Sequence, residues 1–168
     1  MTKFAKIAAV AAAVLTTTPA FAAPVSVTGA PPAASARIVK PLTLTASGSL
    51  NFGTIVMNSV SSNQSVNLAA NGTLTCGAQL VCAATGTVPT YNVAGTNGQV
   101  VSIIKNTSTL TGSNGGTLTL TPVGAATVTL TNSGAPGTDF AIGGSLVIGA
   151  ATVDGLYTGT VNVQVDYN

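Results

Sequence analysis

Cys76 and Cys82, in Thr73-Leu74-Thr75-Cys76-Gly77-Ala78-Gln79-Leu80-Val81-Cys82, are the only cysteines of the 168-residue chain. A pair so close in sequence can form a disulfide, a redox couple or part of a metal clip. The Cys-x-x-Cys spacing of redox couples is absent, and no His or acidic side chain lies near in sequence to complete a zinc site. A structural disulfide is therefore expected. In an exported chain of even cysteine count it closes a short loop and contributes roughly 2–3 kcal/mol on the chain-entropy estimate.

Other reactive groups are few. Acid–base catalysis near neutral pH draws mainly on His, Glu, Asp, Lys, Tyr or Cys, and this chain has no His and no Glu. Asp139, Asp154 and Asp166 stand singly, too far apart in sequence to form a calcium loop. A Ser–His pair cannot form, and a Ser–Lys dyad, which would have to use Lys40 or Lys105, is not expected. Ser113-Asn114-Gly115-Gly116 lacks the following Lys-Ser/Thr of a phosphate cradle and reads as a hairpin turn. Past residue 23, Arg37, Lys40 and Lys105 balance the three Asp residues, leaving no field to attract nucleic acid. The expectation is a non-enzymatic protein with no cofactor, no metal and no nucleic-acid partner. Near-zero net charge favours self-association over colloidal repulsion.

The elements that must position these residues begin after a distinct N-terminus. Lys3 and Lys6 precede an apolar run from Ile7 to Leu15, and Ala20-Phe21-Ala22 follows. This order matches the n-region, h-region and cleavage site of a secretory signal peptide over residues 1–22. The apolar run is shorter than the roughly 20 residues a membrane helix needs. Residues 23–35 (APVSVTGAPPAAS) are Pro- and Ala-rich and read as an exposed extension. Residues 36–168 alternate with period two between Gly, Asn, Pro and Ser breaks, so they read as a β-domain. The expected strands include Arg37–Thr45, Leu50–Met57, Ser65–Leu68, Thr73–Cys76, Thr90–Val93, Val100–Ile104, Thr117–Thr121, Thr127–Thr131, Phe140–Ile142, Ser145–Ile148 and Tyr157–Tyr167. Strands this short with turns between them indicate an antiparallel sandwich or barrel. Thr alternating with Val or Leu gives one dry and one wet face.

Four stretches recur in this order in a known group: Ile38-Val39-Lys40-Pro41-Leu42, Leu50-Asn51-Phe52-Gly53, Gly143-Gly144-Ser145-Leu146-Val147, and Gly155-Leu156-Tyr157-Thr158-Gly159 followed by Val161 to Asn168. Together they resemble the bacterial exported family catalogued as domain of unknown function 4402, over roughly residues 36–168. More distantly they resemble subunits of archaic chaperone–usher pili and spore-coat U proteins. That resemblance implies an immunoglobulin-like, pilin-like sandwich lacking its final strand. A neighbouring subunit's extension, or first a periplasmic chaperone, would supply the missing strand. Val25 and Val27, in Pro24-Val25-Ser26-Val27-Thr28, are the candidate donor side chains, and a plain spacer is the other reading of this segment.

The expected fold is thus all-β, an antiparallel immunoglobulin-like (pilin-like) sandwich of about seven to nine strands. Val161, Val163, Val165 and Tyr167 are expected on the core face of the last strand. Ile38, Leu42, Leu44, Leu50, Phe52, Ile55, Leu118, Leu120, Val128, Leu130, Leu146 and Ile148 complete the expected core. The expected function is an exported structural or adhesive protein, a pilus- or surface-assembly subunit that self-associates or joins sister subunits by strand addition. The expected location is the periplasm, cell surface or medium. The alternatives are a monomeric secreted binding module, for example for glycans, and a small outer-membrane barrel. The meagre aromatic content disfavours the first; most strands being shorter than the 9–11 residues of a membrane barrel, with Thr on the would-be lipid face, disfavours the second.

Overall fold

The computed structural model describes residues 22–82 and 86–168. Residues 1–21, and with them the signal-peptide reading, lie outside the described residues. The chain divides into two units, Met1–Ala36 and Arg37–Asn168. Residues 22–36 of the first unit form no strand and are exposed throughout, Val25 and Val27 among them.

The second unit is all-β. Its strands are β1 (Thr43–Ser47), β2 (Ile55–Met57), β3 (Gln64–Leu68), β4 (Leu74–Cys76), β5 (Leu80–Cys82), β6 (Thr90–Ala94), β7 (Val100–Asn106), β8 (Ser108–Gly112), β9 (Thr117–Val123), β10 (Thr127–Thr129), β11 (Thr138–Ala141), β12 (Gly143–Ile148), β13 (Tyr157–Thr158) and β14 (Asn162–Tyr167). The strand count exceeds expectation partly because several segments are pieces of one run. Thr107 alone separates β7 from β8, Ile142 alone separates β11 from β12, and Gly159–Val161 separate β13 from β14. All paired strands are antiparallel.

Two layers result. The first contains the sheet β13-β8-β9-β12-β3-β4, continued through the runs β13/β14, β7/β8 and β9/β10 into the sheet β10-β7-β14. The second contains β1-β6-β11 and the ribbon β2-β5, joined by the bridge between Asn51 and Thr87. The run β11/β12 passes from the second layer to the first at Ile142, which is fully buried. Side chains from the two layers interlock. At one end Val66, Leu68, Leu118, Leu120, Leu146 and Ile148 pack with Phe52 and Leu80. At the other, Tyr91 and Val93 meet Ile103, Val101 and their neighbours Val128 and Val165.

The alternation explains this core. In Thr117-Leu118-Thr119-Leu120-Thr121 the leucines are buried and the threonines exposed, as period two requires. Cross-strand partners Thr109↔Thr119 and Thr111↔Thr117 continue the wet face onto β8, so hydroxyls rather than charges keep this surface hydrated.

Three expectations need correction. Ile38 is 90% exposed, because the first strand starts at Thr43 rather than Arg37. Pro41 has no N–H to donate, and the Lys40 N–H goes to Thr96 Oγ1 (2.7 Å) instead of to a ladder. Strand β8 was not expected, since Asn106-Thr107-Ser108 reads as polar loop and offers only Leu110 as an inward residue. The last strand breaks at Gly159–Val161. Pairs Tyr157↔Gly112 and Asn162↔Asn106 are offset by one residue, a bulge on the β7/β8 side. A Cβ on Gly159 would come within 2.7 Å of Leu110 Cδ2, so the strands approach here only because that side chain is absent.

Two outcomes are expected from this packing. Leu68 is fully buried, so Leu68→Ala should cost about 2–5 kcal/mol in urea unfolding. Burial raises the Tyr91 phenol above its ordinary value of 10.0, and its ring stacks on Phe140 with centroids 5.4 Å apart. The unfolded chain therefore loses this proton first. The contribution is fully present below the ordinary value and is lost as pH rises through the raised one. Tyr91→Phe should flatten the alkaline fall in stability above about pH 10 relative to wild type. Equal alkaline slopes in the two proteins would refute that assignment.

Candidate functional site

The two layers do not close evenly. On one side, β4 of the first layer and β5 of the second are consecutive strands joined by Gly77–Gln79 and by the Cys76–Cys82 disulfide, Cα atoms 6.4 Å apart. The cysteines are not partners across one hairpin. Cys76 pairs with Val66 in the six-stranded sheet and Cys82 with Ile55 in the ribbon, so the bond ties one layer to the other.

On the opposite side, the strand carrying β1 and β2 faces the run β13/β14. At the β1 end this seam is shut. The Tyr167 hydroxyl donates to the Lys40 carbonyl (2.6 Å) and accepts from the Thr96 N–H (2.9 Å). Leu42, Leu44 and Val165 fill the space beside it. Toward β2 and β13 the seam opens into a groove of about 650 Å³. Its floor is the inner face of the first layer, Leu110, Leu118, Leu120, Leu146 and Ile148. One wall is Ser49–Ile55 with Met57, and the other Thr152–Gly159 with Val161. Asp154 is the only charged residue among those lining it.

Both rims are strand edges. Asn51 and Thr87 exchange backbone hydrogen bonds of 3.0 and 2.9 Å. Successive residues of an antiparallel ladder direct their amides to opposite sides, so Leu50 and Phe52 present theirs on the free side. Asn58 N–H donates to the Gln79 carbonyl (3.1 Å), which places the backbone groups of Ile55 and Met57 on the free side too. Across the groove the Ser113 N–H donates to the Leu156 carbonyl (2.9 Å) and the Leu156 N–H to Ser113 Oγ (3.0 Å). The next residue, Tyr157, therefore turns its amide away from β8. Among the described residues β2 pairs only with β5, and β13 only with β8. Leu156, at the lip, is 70% exposed, and the Tyr157 hydroxyl holds the loop before it by donating to the Val153 carbonyl (2.7 Å).

This arrangement can bind an extended peptide. An apolar floor would take alternate side chains while two rows of free backbone groups pair with the main chain. Of the residues singled out from sequence, Val161 lines the groove, while Val163, Val165 and Tyr167 lie farther along, half-buried, on the side packed into the core. Val25 and Val27 are 93% and 66% exposed. The wall Thr152–Leu156 was not expected to matter. The signal was there in two apolar residues, Val153 and Leu156, within an otherwise turn-like stretch.

Ser102-Ile103-Ile104-Lys105 has the Ser-x-x-Lys spacing, but on a strand positions three apart point to opposite faces. Ser102 Oγ donates to Asn168 Oδ1 (2.6 Å), and Lys105 Nζ donates to the Gly124 and Ala125 carbonyls (2.8 and 2.7 Å). Among the described residues no group of three or more His, Cys, Asp or Glu side chains could hold a metal ion, and no helix is long and apolar enough to cross a membrane.

No curated protein and no solved structure matches the chain at a significant level. The family described as Domain of unknown function (DUF4402) matches residues 42–167, from the residue before β1 to the last residue of β14. That match takes in every strand of the fold and both rims of the groove, and the chain belongs to the DUF4402 family.

Proposed function

We propose that this protein is an exported, non-enzymatic structural subunit of the pilus or surface-assembly type, with an immunoglobulin-like, pilin-like domain whose groove accepts a strand from another molecule. The observation that carries the reading is the groove itself, an apolar floor between two strand edges whose backbone groups face it. Inserting a strand there removes apolar surface from water and pairs both edges. The occupant is an extended segment of a sister subunit, preceded by a periplasmic chaperone strand. Pro24–Thr28 supplies it in a copy of this chain, since Val25 and Val27 alternate and are both exposed. Export is supported by the N-terminal sequence pattern and by the disulfide, which oxidising compartments maintain. The lack of His and Glu and the isolation of each Asp in sequence support a role without catalysis.

Deleting Pro24 to Ser35 tests the reading. The intact protein from periplasm should run as heat-stable ladders on gels and the deletion as monomer. Leu156→Ser, at an exposed lip, should change stability by no more than about 0.5 kcal/mol yet weaken the ladders. Monomers in both the intact and the deleted protein would sink the assembly role and favour a monomeric binding module.

A further inference from the structure

The groove's β2 rim is a weak structure by itself. The ribbon β2-β5 consists of two strands of three residues each, and isolated two-stranded ribbons are marginal in water. The floor does not share this weakness, because its leucines belong to a six-stranded sheet that closes without the ribbon. The disulfide is placed at the junction. Cys82 stands opposite Ile55, which lines the groove, and its sulfur partner Cys76 stands opposite the fully buried Val66. Without the bond, the ribbon is held by the Gly77–Gln79 link to β4, by Leu80 and Ile55 packed against the core, by the Asn51–Thr87 bridge to the rest of its layer, and by the Gln64–Gln79 amide pair. In that pair Gln64 Nε2 donates to Gln79 Oε1 (3.1 Å) and the Gln79 N–H donates to Gln64 Oε1 (3.3 Å).

We propose that the Cys76–Cys82 bond is a redox lock on the groove. A dithiol reductant delivers two electrons and two protons, leaving two thiols here and its own disulfide. The β2-β5 ribbon then loosens from the first layer, and the groove loses one rim while its floor stays folded. Strand capture is thereby confined to oxidised protein, so a chain that has not reached an oxidising compartment cannot assemble. The inference deepens the strand-acceptor reading and rests on it.

The test uses the protein without its signal and with Pro24–Ser35 removed, so that no donor of its own competes. A fluorescent peptide of residues 22–36 is titrated into oxidised protein, protein treated with dithiothreitol, and the Cys76→Ser/Cys82→Ser double variant. Amide hydrogen exchange is followed in the same samples. Reduction should weaken peptide binding about tenfold or more. It should speed exchange at Ile55–Met57 and Leu80–Cys82, while Leu120 and Ile142 stay protected. Unchanged affinity and unchanged rim exchange after reduction would overturn the proposal. So would loss of protection at Leu120 and Ile142 together with the rim, because the bond would then hold the whole domain. Failure of oxidised protein to bind the peptide would overturn the strand-acceptor reading, while the exchange pattern still decides whether the bond governs the rim.

Discussion

The pairing of strand edges governs this molecule. A two-layer sandwich of antiparallel sheets leaves backbone donors and acceptors along each outer strand, and beside an apolar interior these groups need partners. The chain meets that need in different ways around its perimeter. A covalent bond ties the layers at β4 and β5, and the Tyr167 hydroxyl, bonded to Lys40 and Thr96, shuts the seam at the β1 end. Between β2 and β13 nothing within the described residues does so, and the apolar floor is left open to a strand. The groove is therefore a consequence of how the sandwich closes rather than a feature added to it.

The same economy shows in the surface. With so few charges, the outer face of the first layer depends on Thr, Ser and Asn, as in the cross-strand rows Thr111↔Thr117 and Thr121↔Ser145↔Asn67. Each threonine suits a strand through its branched Cβ and offers a hydroxyl to water. Lys105 is spent internally on the carbonyls of Gly124 and Ala125, where the run β9/β10 is interrupted. A surface of this kind carries hydroxyl and amide groups for water to bond while adding little long-range charge repulsion.

Much of the fold was legible in the residue pattern. Leu118 and Leu120 alternate with threonines, Leu146 and Ile148 flank the outward Val147, and all four are buried. Val161, Val163, Val165 and Tyr167 lie on one side of their run and the polar residues between them on the other. The two cysteines are paired. What failed did so locally. Ile38 continues an alternating pattern but lies beyond the proline that stops the ladder, and β8 hides in a polar segment because its partners, not its own composition, make it a strand. The break at Gly159 needed a neighbour, Leu110, that no local window contains.

By itself, the sequence determined that the chain is built of short strands, which side of the alternating ones is dry, and how little acid–base chemistry the chain can offer. All three follow from residue type and a period of two, which are local properties. Only the tertiary structure decided which layer each strand joins, that the disulfide crosses between layers, and that Leu50–Met57 and Thr152–Val161 face one another across an open groove. Alternation names a face and says nothing of the neighbour beyond the edge. That neighbour is set by long-range pairing, which depends on the whole set of strands competing for partners.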